Sequence, residues 1–366
     1  MKKINFYSGP AILPEEVLLQ AKEAITDFAG TGLSILEVSH RSKEFVKVME
    51  DARVMVREIM NLNSDREVLF LQGGASSQFY MVPMNLLNEN ETAEYFDTGQ
   101  WAHGAMEEAK NFGNVHIACS SKEDKYNYIP SKFSVSDASK YLHITSNNTV
   151  YGTQFHWWPQ TKCPIVADMS SDIFSRQLDF NRFDLIYAGA QKNMGAAGTT
   201  LVVVNKNMLG TVSRKIPRML DYRLHIKGES MINTPSAFSV YVSYLTLQWI
   251  KKQGLQAIEE RNNRKAAKLY AAIDASSLFK GTVAQKDRSL MNVCFNIPSG
   301  NVPGEGGVIT NLPEEKFIAF AAKYGIAGIK GYRTVGGFRA SIYNAMPESG
   351  IDTLVEAMKE FERTEV

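Results

Sequence analysis

The sequence predicts an α/β protein in which a mainly parallel sheet is wrapped by helices and followed by a smaller C-terminal module. From residue 67 onward, short apolar runs alternate with amphipathic segments of helical period, the pattern of a doubly wound sheet. Two long helices, predicted over 237–252 and 255–273, follow these runs. The remaining segments indicate a strand–strand–helix–strand–helix module over 289–297, 307–310, 314–324, 326–329 and 351–361.

The composition is that of a globular protein with a large core. The chain has 366 residues, of which 44% are hydrophobic and 22% charged, and its net charge is +1. We therefore expect neither a nucleic-acid partner nor a polybasic membrane contact. Cys119, Cys163 and Cys294 stand singly, which argues against a disulfide framework or a zinc site and favours a reducing compartment. No apolar run approaches the ~18 residues that a membrane span needs, so we predict a cytoplasmic protein.

The first elements place two cations before a helix. A helix is predicted from Pro14 to about residue 28, because proline favours the first helical position. Ser42 has the position of an N-cap for a long amphipathic helix that continues to Ile59. His40 and Arg41 lie just before that helix and form a candidate anion site. The alternative is a solvated pair in a loop.

A glycine- and hydroxyl-rich segment follows the first strand of the sheet. The strand is predicted over 67–72, the turn over 73–78 and a helix over 79–87. Backbone N–H groups at such a helix start can bind a phosphate, although the segment has neither a dinucleotide-binding nor a P-loop signature. The strand 93–96 comes next and leads to Trp101, which either stacks on a flat ring or fills the core.

An aspartate ends one of the next strands. Strands are predicted over 115–119, 141–145 and 164–168, and the polar segment 120–139 is predicted as a loop with a short helix. Asp168 stands at the carboxyl end of the third strand, where ligands of open α/β sheets bind. It is either a helix N-cap or a carboxylate directed into the crevice.

A glycine-rich turn between two apolar strands holds Lys192. The strand 183–187 runs into this turn and the strand 199–204 follows it, with Gly189 and Gly195 on either side of the lysine. Lysine is rarely fully buried unless it is paired or reactive. Lys192 is therefore a candidate for covalent attachment of an aldehyde cofactor or a carbonyl substrate. The alternative is an ordinary surface lysine that ends a strand.

Two arginines near the C-terminus suit anion binding. Arg333 and Arg339 bracket a double glycine beside an alternating strand, and arginine binds carboxylate or phosphate through two parallel hydrogen bonds. A solvated pair is the alternative. Pyridoxal 5′-phosphate needs a lysine, a carboxylate, an aromatic face, a phosphate cradle and an arginine for its substrate. Lys192, Asp168, Trp101, the segment 74–76 and Arg339 supply these groups.

Five segments carry a resemblance, end to end, to the phosphoserine aminotransferase family. They are NFYSGPA at Asn5 to Ala11, EVSHRS at Glu37 to Ser42, GAQKNMG at Gly189 to Gly195, NTPSAFSVY at Asn233 to Tyr241 and GYRTVGGFRASIYNAM at Gly331 to Met346. The resemblance implies the aspartate-aminotransferase-like fold of type I pyridoxal-phosphate enzymes, with a seven-stranded sheet and a smaller α+β C-terminal domain. It also implies a homodimer with shared active sites. We predict an extended segment over 1–15, a large domain over 16–258 and a small domain over 259–366.

The resemblance also implies residue roles. Lys192 binds the cofactor aldehyde and moves a proton at the substrate Cα, and Asp168 keeps the pyridine nitrogen protonated. The matching cofactor-binding positions are Ala75, Ser76, Trp101, Thr149, Asp168, Gln191 and Lys192, with Asn233 and Thr234 supplied by the partner subunit. Arg339 matches the α-carboxylate anchor, and His40, Arg41 and Arg333 match the cluster for the substrate's distal phosphate or the glutamate side chain. Many members carry arginine at position 76 and histidine at position 332, so Ser76 and Tyr332 remove donors from the distal site.

The implied reaction transfers the amino group of L-glutamate to 3-phosphohydroxypyruvate and gives O-phospho-L-serine and 2-oxoglutarate, a step of serine biosynthesis. Use of 4-phosphohydroxythreonine in pyridoxine biosynthesis stays open. A serine- or alanine-glyoxylate aminotransferase would share Lys192 and Asp168 but gives no reason for the distal cations. A desulfurase needs a cysteine on a flexible loop, whereas Cys163 and Cys294 lie in or beside predicted strands. A non-catalytic α/β ligand-binding protein is the alternative of another class.

Overall fold

A computed structural model describes residues 3–298 and 312–364. The strands of the described residues are β1 (Ile4–Asn5), β2 (Arg66–Leu71), β3 (Thr92–Asp97), β4 (Asn114–Ser120), β5 (Leu142–Thr145), β6 (Ile165–Asp168), β7 (Leu185–Gly189), β8 (Thr200–Asn205), β9 (Lys280–Gly281), β10 (Asn292–Asn296), β11 (Ile326–Ala327) and β12 (Phe338–Ser341). The helices are α1 (Glu15–Thr26), α2 (Lys43–Met60), α3 (Gly74–Leu86), α4 (Gln100–Ala109), α5 (Tyr222–Lys227), α6 (Ala237–Gln253), α7 (Leu255–Ala275), α8 (Leu312–Lys323) and α9 (Glu348–Thr364). Over these ranges, no helix has both the length and the apolar character to cross a membrane.

The large sheet has seven strands in the order β2-β8-β7-β6-β5-β3-β4. β8 runs antiparallel to β2 and β7, and the other neighbouring pairs are parallel. The predicted mainly parallel seven-stranded sheet is confirmed. Its register places Thr145 beside Asp168 and Asp168 beside Tyr187. The carboxyl ends of β5, β6 and β7 therefore meet at one edge of the sheet, where such folds bind ligands.

The predicted helix after Ser42 is confirmed as α2. Ser42 Oγ accepts a hydrogen bond from the Phe45 N–H at 3.2 Å, so the serine caps the helix. Asn61 ends the helix in the left-handed conformation, with φ of 49°. Phe45 and Met49 are fully buried on the inner face, and burial of such a face supplies most of the stability of a protein helix.

The predicted boundary between the turn 73–78 and its helix is wrong. α3 begins at Gly74, so the segment forms the first turns of the helix. Gly73 precedes it with φ of 95°, and a Cβ at this position would lie 2.8 Å from the Ser77 Cβ. Glycine is required there because a side chain would meet both strain and a clash. The Ser77 hydroxyl donates to the Gly74 carbonyl at 2.8 Å and closes the turn.

The short helix predicted within 120–139 is wrong, because residues 121–139 contain turns and no helix. The basic segment 209–232 contains α5, whose start is capped by Asp221 through a 2.9 Å bond from the Arg223 N–H. The predicted strand over 307–310 lies outside the described residues.

The apolar residues of the C-terminal module form a cluster of their own. Phe279 and Phe317 lie at its centre, with ring centroids 4.8 Å apart. The N-terminal segment joins this cluster, because Phe6 is fully buried in it and β1 pairs in parallel with β11. The other large cluster fills the space between the sheet and helices such as α2 and α6. The boundaries at 15/16 and 258/259 stay predictions.

Candidate active site

A cavity of about 220 Å³ lies at the sheet edge where β5, β6 and β7 end. Its walls come from the N-terminal segment, the starts of α3 and α4, the three strand ends and β12. Eight of the predicted site residues line it: Ala75, Ser76, Trp101, Thr149, Asp168, Gln191, Lys192 and Arg339. Residues that are far apart in the sequence therefore meet within one chain.

Lys192 follows β7 by three residues and points its amine into this cavity. Its Nζ donates a hydrogen bond to Thr149 Oγ1 at 2.8 Å. Burial lowers the pKa of Lys192 to about 8, against the opposing attraction of Asp168 and with help from the positive charge of Arg339. A lysine with this pKa is partly neutral near pH 8, and the neutral amine is the form that attacks an aldehyde.

Asp168 is the last residue of β6 and is buried in the cavity floor. Its Oδ1 accepts hydrogen bonds from the Ser170 N–H at 2.9 Å and from Ser170 Oγ at 2.6 Å. Burial raises the pKa of Asp168, while Lys192 and the Ser170 bonds act in the opposite direction. The Asp168 carboxylate thus accepts local hydrogen bonds, as an N-cap does, and it also lines the cavity. The two predicted roles, N-cap and cavity carboxylate, are therefore compatible.

Arg339 of β12 places a positive charge in the opposite wall. Its guanidinium donates to Ser8 Oγ at 2.8 Å and to the Thr149 carbonyl at 3.4 Å. The side chain is only 8% exposed, and Nε has no partner among the described residues. A buried guanidinium with a free donor is suited to bind a carboxylate.

The start of α3 supplies backbone donors to the same cavity. Gly74, Ala75 and Ser76 line it from the first turn, where N–H groups lack acceptors within the helix and the helix dipole is positive. These groups form a natural phosphate site. Trp101, half-buried in the second position of α4, lines the cavity and also packs against the neighbouring apolar cluster, so its two predicted roles coexist.

Five predicted site residues lie away from this cavity. His40 is half-buried, and Arg41 and Arg333 are exposed. The structure gives their side chains no hydrogen bond or ion pair within residues 3–298 and 312–364. Asn233 lines a separate small cavity beside Gly73, and the Thr234 carbonyl accepts a bond from Gln72 Nε2 at 2.8 Å.

Several hydroxyl and amide side chains of the cavity have no counterpart in the predicted set. They are Ser8, Thr145, Asn147, Ser170 and Ser171. Ser8 belongs to the motif NFYSGPA, and Ser170 and Ser171 follow Asp168 by two and three positions, so the sequence does contain signals for three of them. The sequence does not show that Ser8 is bonded to Arg339, because the two residues are separated by 331 positions.

The residues present fit pyridoxal phosphate. An amine of lowered pKa and a buried carboxylate line one cavity. Thr145 Oγ1 and Arg339 Nε are buried there without a partner among the described residues. Buried polar atoms are nearly always hydrogen-bonded, so a polar ligand is the natural partner for both atoms.

The three cysteines do not suit nucleophilic chemistry. Cys163 and Cys294 are buried and Cys119 is partly buried. Burial raises the pKa of each thiol to about 12. The reactive thiolate is therefore scarce at neutral pH, which argues against a desulfurase.

The fold and the cavity together define a class, the aminotransferases that use pyridoxal phosphate on a type I fold. A model of the aminotransferase class-V family matches residues 4–354. The chain is 53% identical to the phosphoserine aminotransferase of Flavobacterium psychrophilum over 364 residues and 54% identical to that of Flavobacterium johnsoniae over 366, with 99% of each chain covered. The chain belongs to the class-V aminotransferases and, within them, to the phosphoserine aminotransferase family.

Solved structures agree with this assignment. The phosphoserine aminotransferase from Bacillus circulans subsp. alkalophilus superposes with a TM-score of 0.94 at 40% identity, covering 100% of this chain and 99% of the other. The pyridoxal-phosphate-bound enzyme from Trichomonas vaginalis gives 0.91 at 33% identity, with 98% and 100% covered. An alanine–glyoxylate aminotransferase from Nostoc sp. reaches 0.75 at only 15% identity, over 98% and 95% of the chains, and shares the fold alone. The predicted fold class, enzyme class and cofactor are confirmed.

Proposed function

We propose that the Lys192 cavity transfers the amino group of L-glutamate to 3-phosphohydroxypyruvate and releases 2-oxoglutarate and O-phospho-L-serine, for serine biosynthesis. The observation that carries the proposal is the meeting of Lys192, Asp168 and Arg339 in one cavity. When bound, pyridoxal phosphate supplies an aldehyde carbon and a ring that accepts electrons. The chain's own residues hold, orient and protonate the reacting groups.

Two residues act on protons. Lys192 offers a neutral amine at a pKa of about 8, which would bind the cofactor aldehyde and would take the proton from the substrate Cα as general base. Asp168 would hold a proton on the pyridine nitrogen through its charge. The two hydrogen bonds from Ser170 support the ionised carboxylate against burial.

Other residues orient the ligands. Ala75 and Ser76 in the first turn of α3 line the cavity and would hold the cofactor phosphate, and Trp101 would stack on its ring. Arg339 binds the substrate α-carboxylate through its free donor. Thr149 and Gln191 complete the cofactor-binding wall.

The remaining predicted residues act at the distal end and across an interface. We assign His40, Arg41 and Arg333 to the substrate phosphate or the glutamate side-chain carboxylate. Asn233 and Thr234, which lie outside their own chain's cavity, serve the site of a second copy in a homodimer. Three free thiols support a reducing, cytoplasmic location.

The decisive assay compares O-phospho-L-serine with L-serine as amino donor to 2-oxoglutarate, using purified protein saturated with pyridoxal phosphate. We expect strong preference for the phosphorylated donor, and a parallel measurement with 4-phosphohydroxythreonine tests the pyridoxine branch. Equal rates with serine would favour a glyoxylate-type enzyme. Borohydride trapping with peptide mapping should place the cofactor on Lys192, and protein that takes up no cofactor would favour the non-catalytic alternative.

A further inference from the structure

Asn193 follows Lys192 directly, and the proposed chemistry gives it no role. It is 4% exposed and makes three polar contacts that hold the lysine turn in place. Its Nδ2 donates to the Ser171 carbonyl at 3.1 Å and to Met291 Sδ at 3.7 Å, and its Oδ1 accepts the Asn344 N–H at 3.0 Å. The amide of Asn193 is thus satisfied on both sides.

The two partners belong to the segments that carry the other reacting groups. Ser171 follows Asp168 by three residues, and Asn344 follows Arg339 by five in the motif GYRTVGGFRASIYNAM. One side chain therefore connects the lysine turn, the segment after the aspartate and the segment after the arginine.

The Asn344 end of this connection is itself fixed. Asn344 Nδ2 donates to the Phe174 carbonyl at 3.0 Å, and its Oδ1 accepts a bond from Asn262 Nδ2 at 2.9 Å. Both asparagines are at most 2% exposed. The side-chain amides of Asn193 and Asn344 are thus fully bonded, whereas Asn262 Oδ1 has no partner among the described residues. Buried side chains whose polar atoms are bonded are held rigidly, so a change at Asn193 alters both segments that it contacts directly.

We infer that Asn193 is a positioning residue that sets the Lys192 amine relative to Asp168 and Arg339. The inference rests on the proposed function of those three residues. Its physical basis is that the proton at the substrate Cα moves only when the amine lies at the correct distance, and a displacement of about 1 Å can lower a rate about 10²-fold. Asn193 acts through Lys192 and does not itself touch the reacting atoms.

The test compares Asn193→Ala with Asn85→Ala. Asn85 is a similarly buried asparagine near the end of α3 whose Nδ2 bonds the Met81 and Leu220 carbonyls, each at 2.8 Å, and it does not line the cavity. Three quantities are measured: the Tm, the rate at which the apoprotein takes up pyridoxal phosphate, followed by absorbance, and the kcat and KM for glutamate.

We expect similar losses of Tm in both variants. Asn193→Ala should lower kcat and the rate of cofactor uptake by about 10²-fold with a smaller change in KM, whereas Asn85→Ala should keep both rates within about threefold, because it leaves the bonds of the lysine turn and of Asn344 in place. Equal losses of rate in the two variants would overturn the inference.

A second pair covers the case in which Asn193→Ala does not fold. Asn193→Asp keeps the side-chain shape and the acceptor for the Asn344 N–H but removes the donor to Ser171 and Met291, and Asn85→Asp introduces a comparable buried charge. The inference requires that Asn193→Asp alone lose at least about tenfold in kcat. Failure of the wild-type protein to bind cofactor at Lys192 would instead refute the proposed function.

Discussion

The Lys192 cavity and the three predicted distal cations, His40, Arg41 and Arg333, are built in opposite ways. Lys192 and the guanidinium of Arg339 donate hydrogen bonds to Thr149 and Ser8, and Asp168 accepts one from Ser170. The distal cations are exposed or half-buried, and within the described residues their side chains have no hydrogen-bonding or ionic partner. One chain thus holds in place the three residues proposed for amino transfer. The three residues proposed for the substrate's distal group are left without such contacts.

The largest expected effect comes from Lys192→Ala. Loss of the attachment point and the general base should lower amino transfer by about 10⁴-fold or more, measured as initial rates with phosphoserine and 2-oxoglutarate. The matched control is Lys265→Met. Lys265 is a lysine only 1% exposed, and its amine bonds the Ile342 and Tyr343 carbonyls. This control should lower Tm while borohydride still fixes the cofactor at Lys192. Retained activity in Lys192→Ala would show that the Lys192 cavity is not the site of amino transfer.

Asp168→Asn should follow, with a loss of about 10³-fold in the half-reaction with glutamate. The amide keeps the shape but removes the charge that holds a proton on the ring nitrogen. Asp172→Asn is the control, because this buried carboxylate bonds Gln154 and Arg176 and does not line the cavity. Rapid-mixing absorbance measures both variants. If the two substitutions slow the half-reaction equally, the charge of Asp168 has no special role.

Arg333→Ala tests the role proposed for the distal residues His40, Arg41 and Arg333. A charge-assisted hydrogen bond contributes about 1.5–3 kcal/mol, so the ratio of kcat/KM for phosphoserine over serine should fall by about 10- to 100-fold. Cofactor affinity should not change. The exposed Lys330 nearby provides the control, since Lys330→Ala removes a positive charge from the same region without removing a predicted substrate contact. An unchanged ratio in Arg333→Ala would show that the distal group is bound elsewhere.

The smallest effect concerns pH. Lys192 has a pKa of about 8, so below pH 8 it is mostly an ammonium without a lone pair and above pH 8 mostly a free amine. The rate at which the apoprotein takes up pyridoxal phosphate should therefore rise about tenfold from pH 7 to pH 9 and then level off. Pyridoxine phosphate, which lacks the aldehyde, is the control and should show no such rise. A midpoint near the ordinary lysine value would contradict the buried amine.

The sequence predicts much of the fold because its strongest signals are local. The apolar period and Ser42 cap define α2, and apolar runs define the buried strands of the sheet. The failures have physical causes. Glycine is typical of turns, yet Gly73, which has a positive φ, immediately precedes the start of α3. α5 has only six residues, too few to show a helical period within a basic stretch.

Some residues of the candidate active site can be predicted from the sequence, and others cannot. Lys192, Asp168 and Arg339 can be predicted because their residue types are unusual at strand ends and beside glycine pairs. Thr145 could not be predicted, since hydroxyl side chains are common and their importance depends on distant neighbours, and the pairing of Ser8 with Arg339 could not be predicted for the same reason. The Ser8 contact to Arg339 exists only because β1 joins the C-terminal module.

The buried thiols have a practical consequence for optical work on this enzyme. All three native cysteines have a pKa near 12, so maleimide dyes should react with them slowly at neutral pH. A Lys330→Cys variant could then be labelled selectively with a fluorophore at position 330, three residues from Arg333. The native cysteines would not have to be removed first. Such a reporter would let the arrival of a phosphorylated substrate be followed in real time by its emission.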